Sequence, residues 1–290
     1  MEITTTIIEQ HWPLSGVTIE KMPKQGMGGQ VGIIVSDQGK FTYKIAGSWK
    51  KPANLERDLV VYEFLNQKSF PNISTLLKTR TDERFVALGE KLLYLIAYVE
   101  GEHPAQITQT YAELGKITSA LHSIKDFPFE TDYRPATAVP DLIANSSQFI
   151  FQDEYCGILK SIRSFKDLPL VPIHTEITPG NVIQQSDGKI IVIDWDEAGL
   201  GPAVLDLGVA LINHFVTEDL EILEVEAKAY YFNYFTLRPM KTEERSYVWD
   251  AALFWACSWI TYGNQEKRWE RIKWAINNRE KLESFYKSND

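Results

Sequence analysis

Cysteine is nearly absent from this chain: 290 residues carry only Cys156 and Cys257, far apart and outside any metal-ligand spacing. That argues against a disulfide framework and fits a reducing compartment, with both thiols read as small buried apolar residues. Long hydrophobic runs are missing too, and nothing is apolar over the length a bilayer requires. Met1 to Gln10 holds Glu2 and Glu9 among Thr and Ile, without the basic start and apolar run of a signal peptide. The expected location is the cytoplasm, with no membrane partner. Dense Lys/Arg runs are lacking as well. Thirty basic against 39 acidic residues give a formal net charge of −9, which argues against a nucleic-acid partner and is compatible with a cationic substrate. There is no internal repeat and no low-complexity segment.

What is present is an ordinary globular composition, 44% hydrophobic and 24% charged, on a chain long enough for one large domain or two lobes sharing a cleft. The first third reads as strands. Val17 to Met22, Val31 to Val35 and Phe41 to Ala46 are rich in β-branched and aromatic residues. A Gly-rich turn, Gln25 to Gly29, separates the first two, and Asp37-Gln38-Gly39 is a hairpin turn between the next two. Asn54 to Gln67 has helical spacing, with Leu55, Leu59, Tyr62 and Leu65 on one face. Strand-like runs follow at Thr75 to Lys78, Phe85 to Leu88 and Leu92 to Val99.

Beyond Glu100-Gly101-Glu102 the pattern changes. Tyr111 to Ile124 is a helix by its Leu114, Ile117, Leu121 and Ile124, and Pro128 to Pro140 is a connector. Helices follow through Ile162. Val171 to Ile193 is a strand–loop–strand unit turning at Asp187-Gly188, and from Ala203 onward the chain is helical. The expected division is a β-rich lobe over 1–100 and a helical lobe over 101–290.

The loop inside that unit carries chemistry. Ile173-His174-Thr175-Glu176-Ile177-Thr178-Pro179-Gly180-Asn181-Val182 holds polar side chains between two apolar runs, and Asp194 and Asp196 follow in Ile191-Val192-Ile193-Asp194-Trp195-Asp196. Carboxylate and amide oxygens at strand ends suit Mg²⁺, which takes few protein ligands and completes its shell with phosphate and water. Phosphoryl transfer needs such neutralisation and a group to orient the acceptor hydroxyl. Lys44, in Phe41-Thr42-Tyr43-Lys44-Ile45-Ala46, is a lysine inside an apolar strand, costly to desolvate unless paired or directed into a cleft.

Together, His174-x-Glu176-x-x-x-x-Asn181, Ile193-Asp194-Trp195 and Asp206-Leu207-Gly208 resemble the catalytic and metal-binding segments of the aminoglycoside phosphotransferase and choline kinase-like superfamily. The resemblance implies an α+β, two-lobed protein-kinase-like fold with a small β-rich N-terminal lobe and a larger helical C-terminal lobe. It implies Asn181 and Asp194 on Mg²⁺, His174 bracing the loop, Asp206 anchoring the loop backbone, and Asp196 as a further contact. Lys44 would contact phosphates of ATP or GTP and pair with Asp58 or Glu56 on the following helix. Gly26, Gly28 and Gly29 would approach the phosphates, and Ala97, Tyr98 and Val99 would form the hinge against the purine. His122 is expected to be structural.

Glu176 stands where that family usually has Asp, a reach longer by one methylene. The expected function is transfer of the γ-phosphate to a hydroxyl of a small molecule, such as an aminoglycoside-like antibiotic, amino alcohol, sugar or metabolite, with Glu176 orienting it. The rival expectation is a non-catalytic nucleotide-binding protein on the same fold. Nothing resembling Ala-Pro-Glu follows Asp194, which disfavours a protein acceptor. The aromatics Trp249, Trp255, Trp259 and Tyr262 read as core, with an acceptor surface as the alternative, and the acidic run from Glu218 to Glu226 reads as a solvated face.

Overall fold

The structure, a computed structural model, describes residues 3–21, 29–47, 50–128, 135–196, 198–261 and 263–287. Its contacts separate into two units, Met1–Glu102 with Val182–Glu197, and His103–Asn181 with Ala198–Asp290.

The first unit is built on an antiparallel sheet. Strands β1 (Thr18–Lys21), β2 (Gly29–Ser36), β3 (Gly39–Ala46), β4 (Leu76–Leu77), β5 (Val86–Leu88) and β6 (Lys91–Ala97) pair in the order β1-β2-β3-β6-β4, with β5 also on β6. A short helix, α1 (Thr5–His11), precedes them and has no counterpart in the sequence reading, where its β-branched residues conceal it. Thr4 caps it through a bond from the Ile7 amide. Ile8 and Trp12 join Ile34, Ile45, Leu93 and Leu95 in the core on one face of the sheet. Helix α2 (Pro52–Gln67) follows β3 and buries Leu55, Leu59, Tyr62 and Leu65, and with them Asp58. A carboxylate on an apolar face requires a partner.

The Val182–Glu197 segment forms a hairpin of β8 (Val182–Gln184) and β9 (Ile190–Val192), turning at Asp187-Gly188, after β7 (Leu170–Ile173) of the second unit. The hairpin is held by the Val192 amide on Asn72 O, the Asn72 side chain on Ile190 O, and reciprocal Glu102–Gln184 backbone bonds. These long-range bonds attach it to the first unit, a link that residues read in sequence order do not display.

The second unit contains α3 (Thr108–His122), α4 (Pro135–Ala144), α5 (Gln152–Ser161), α6 (Val204–Asn213), α7 (Glu224–Leu237), α8 (Thr242–Arg245), α9 (Val248–Ser258), α10 (Gln265–Asn277) and α11 (Arg279–Lys287), with one more strand, β10 (Gly199–Pro202). Helices α6 and α9 are apolar on nearly all sides and pack together, as α3 does with α7.

One expectation changes here. Residues Pro135 to Pro140 are helical rather than connecting, with Pro140 inside α4 at the loss of one helical bond. The strand–loop–strand unit has its turn at Asp187-Gly188 between the paired β8 and β9, while β7 pairs with β10. Gly199-Leu200-Gly201-Pro202 has almost no strand propensity, so its role as the partner of β7 comes from tertiary placement. Cys257 is buried and its thiol is pushed up to about 12 by burial, whereas Cys156 is only partly buried; both are free. Among the described residues no helix is long and apolar enough to cross a membrane.

Candidate active site

In the first unit the site is organised around Lys44. It lies on β3 opposite Val31 on one side and Tyr94 on the other. Its ammonium donates to Asp194 Oδ1 at 2.8 Å and Asp196 Oδ2 at 3.3 Å. Tyr94, buried on β6, donates its hydroxyl to Asp196 Oδ1 at 3.0 Å. Burial alone would lower the Lys44 pKa; Tyr94, Asp196 and Asp194 outweigh it and hold the ammonium well above the ordinary lysine value. Asp194 has φ +65°, a sparsely populated conformation for a non-glycine residue. Next to it Trp195 is buried, donating its indole N–H to Val192 O at 3.0 Å and meeting Phe70 edge-on. That anchor fixes the backbone between the two acids.

The acids of α2 are placed differently from the expectation. Asp58 is held by Lys50, with Arg57 on its other oxygen at 3.1 Å, and Glu56 is paired with Arg84. Lys44 therefore takes its acids from the segment after β9, not from α2. Lys50, which sequence reasoning missed, is itself buried and also donates to Asp196 O at 2.9 Å.

The remaining first-unit candidates are backbone positions. Gly29 opens β2 opposite Ala46, and a Cβ there would stand 2.0 Å from Ile45 O, so the pairing itself requires glycine. Gly26 and Gly28 lie outside the described residues. At the end of β6, the Ala97 amide donates to Thr75 O (2.8 Å), its carbonyl accepts from Ser74 Oγ (2.7 Å), and the Tyr98 amide donates to Lys40 O (3.1 Å). The amides of Ala97 and Tyr98 are thus already used, and among the described residues the Val99 amide has no backbone partner.

In the second unit the loop after β7 is clamped by Asp206 on α6. This buried carboxylate accepts from the His174 amide at 3.0 Å and the Thr175 amide at 2.6 Å. It also bonds to His122 Nε2 at 3.0 Å, while His122 Nδ1 meets the Tyr234 hydroxyl at 2.8 Å. The clamp holds Thr175 at φ +75°, an uncommon backbone for a β-branched residue. His174 is buried, and its Nδ1 accepts from the Glu176 amide at 3.3 Å. The Asn181 side chain donates its amide to Glu176 O at 3.1 Å, which leaves its Oδ1 as the acceptor suited to a cation.

Among the described residues no three His, Cys, Asp or Glu side chains are grouped to hold a metal. Mg²⁺ does not need such a group: one or two protein oxygens suffice when phosphates complete the shell. In the first unit Asp194, with 53% of its side chain exposed, has that donor chemistry, and in the second unit Asn181 Oδ1 has it. Of the C-terminal aromatics, Trp249 and Trp255 are core: both are buried, and the Trp255 indole donates to Leu205 O at 3.0 Å, whereas Trp259 is only partly buried. Tyr262 lies outside the described residues.

A lysine on the third strand facing two acids, and a carboxylate-clamped His-x-Glu-x-x-x-x-Asn loop in a helical unit, define a mixed α+β, kinase-like fold. The chain belongs to the phosphotransferase enzyme family APH, whose model matches residues 33–241. A search of curated proteins gives no match. Among solved structures, an aminoglycoside phosphotransferase from Alicyclobacillus acidocaldarius is similar at TM-score 0.64 and 14% identity, covering 99% of this chain and 96% of its own. A microcompartment-associated aminopropanol kinase is similar at TM-score 0.63 and 17% identity, covering 98% of each chain. The amicoumacin kinase hAmiN, in complex with AMP-PNP, Ca²⁺ and Ami, is similar at TM-score 0.62 and 13% identity, covering 97% of this chain and 94% of its own. At these identities the likeness is one of fold.

Proposed function

We propose that this protein transfers the γ-phosphate of ATP or GTP to a hydroxyl of a small molecule. The observation that carries the reading is the Lys44 ammonium between the carboxylates of Asp194 and Asp196. One cation beside two acids is a charge arrangement that phosphates and a divalent cation can enter together. In this reading Lys44 binds phosphate oxygens, and Asn181 and Asp194 hold Mg²⁺. A bound Mg²⁺ supplies neutralisation of the charge on the phosphates. The purine edge meets the Val99 amide and the Tyr98 carbonyl. Glu176 accepts the proton of the attacking hydroxyl, on a loop whose backbone is fixed by Asp206 and His174.

For the acceptor, an amine-bearing small molecule with a free hydroxyl is favoured. The net charge of −9 suits a cationic partner, and one structure of similar fold is described as an aminopropanol kinase.

The test is γ-phosphate transfer across a panel of amino alcohols, aminoglycosides and sugars, with Glu176→Gln beside the parent. Loss of the carboxylate should lower kcat by roughly 10²- to 10⁴-fold with little change in nucleotide affinity. Equal rates would remove Glu176 from the mechanism. Nucleotide binding without transfer to any acceptor would favour the non-catalytic reading, for which the longer reach of Glu176 is the motive.

A further inference from the structure

Lys50 lies in the connection between β3 and α2, and its burial needs an explanation that the phosphate site as described does not give. Only 5% of its side chain is exposed, and among the partners of its ammonium are two groups on other elements. One is the carboxylate of Asp58, a turn and a half into α2; the other is the main-chain oxygen of Asp196, 146 positions away. Asp196 is consequently gripped at three atoms: its carbonyl by Lys50, Oδ1 by Tyr94 and Oδ2 by Lys44. Tyr94 and Lys44 face each other across β6 and β3, so both are fixed by the sheet. The third grip comes from α2.

We infer that Lys50 is a positioning residue, which ties α2 to the backbone of Asp196 and so keeps the carboxylates of Asp194 and Asp196 converged on the phosphate-binding lysine. The inference rests on the proposed phosphotransfer reading and assigns to Lys50 the pairing with the α2 acid expected of Lys44. It divides between two lysines what one would otherwise do. Lys44 is left with its acids at the strand end and Lys50 carries the helix.

The competing explanation is that Lys50 merely neutralises Asp58. Burial pushes the Asp58 carboxyl up despite Lys50 and Arg57 beside it, so its charge is costly to keep. The two explanations part when both partners are removed. Neutralisation alone predicts that Lys50→Met is repaired in every respect by adding Asp58→Asn. Positioning predicts that the double variant regains stability yet leaves the Asp196 carbonyl without its ammonium.

The experiment compares the full chain with Lys50→Met and Lys50→Met/Asp58→Asn, by thermal unfolding without nucleotide and by titration with AMP-PNP, with and without Mg²⁺. The expected result is a lowered Tm in the single variant that recovers in the double. AMP-PNP affinity in Mg²⁺ should be weaker by about 10-fold or more in the double, as for partners that orient metal ligands, with a smaller difference when Mg²⁺ is omitted. A double variant that binds as the parent does in Mg²⁺ overturns the role of Lys50 and leaves the phosphotransfer reading standing. A parent that binds no AMP-PNP in Mg²⁺ overturns both. If the single variant does not fold, the double, in which both charges are gone, gives the same answer.

Discussion

Asp206 shows how much one side chain can fix. Its two oxygens take the amides of His174 and Thr175 and a nitrogen of His122, all buried. With both Asp206 oxygens already accepting amides, His122 is the donor on Nε2 and accepts the Tyr234 hydroxyl at Nδ1. The Arg238 guanidinium then donates to the Tyr234 oxygen at 3.1 Å, completing a line of donors and acceptors without conflict. Replacing Asp206 by Ala would leave three buried donors unpaired and release Thr175 from its held conformation. The expected cost is about 3 kcal/mol or more, read from the urea midpoint, and Glu176-dependent transfer should fall with it. At this scale the residues legible in the sequence are those whose spacing is local: His174, Glu176 and Asn181 sit within one loop, with Asp194 and Asp206 at short intervals after it. Lys50 and Tyr94 were illegible because their partner Asp196 lies more than a hundred positions away. No local pattern distinguishes such a lysine from a solvated one.

Elements are attached through a few backbone contacts, and Gly101 marks one of them. It has φ +144°, and a Cβ there would stand 2.2 Å from Gln184 O and 2.8 Å from Ile183 Cγ2. Beside it, the Gln184 amide donates to Glu102 O at 2.8 Å and the Glu102 amide returns a bond to Gln184 O at 3.2 Å. Gly101→Ala should therefore cost roughly 2 to 4 kcal/mol through strain and displaced hairpin bonds. Faster hydrogen exchange at the Gln184 and Glu102 amides would show that the loss begins there; an unchanged rate would refute the attachment. The elements that sequence displays are those with a clear period: strands β1 to β3, the buried face of α2, and α3. Their alternation or helical spacing is a direct imprint of one-sided burial. Helix α1 stayed hidden because its Thr and Ile residues favour strands, so that capping and packing of Ile8 decide its state. Strand β10 stayed hidden because Gly and Pro carry no strand signal and its pairing with β7 spans the whole site loop. Propensity is a local quantity, and both exceptions are settled by long-range contacts.

For the molecule as a whole, the response to acid follows from what its interior leaves uncharged. His214, at the end of α6, has its Nε2 shut away from water without a hydrogen-bond partner among the described residues. Burial, assisted by the charge of Arg271, pushes its pKa down to about 4. His122 is pushed down as well, by burial that outweighs the attraction of Asp206. In the unfolded chain both imidazoles titrate near the ordinary histidine value of about 6.5. The unfolded state therefore binds more protons than the folded state below that pH, and stability falls as pH falls through this range. For His214 the loss is largely absent above about pH 6.5 and complete below about pH 4. At pH 5 it amounts to about 2 kcal/mol, an upper value because the residue is not sealed on every side. His214→Gln removes this titration while leaving that of His122. Urea unfolding of parent and variant at pH 7.5 and pH 5 should show a smaller stability difference in the variant, by about 1 to 2 kcal/mol. An equal difference in both proteins would mean that His214 reaches water in the folded state, and that the acid response comes from His122 and the carboxylates instead.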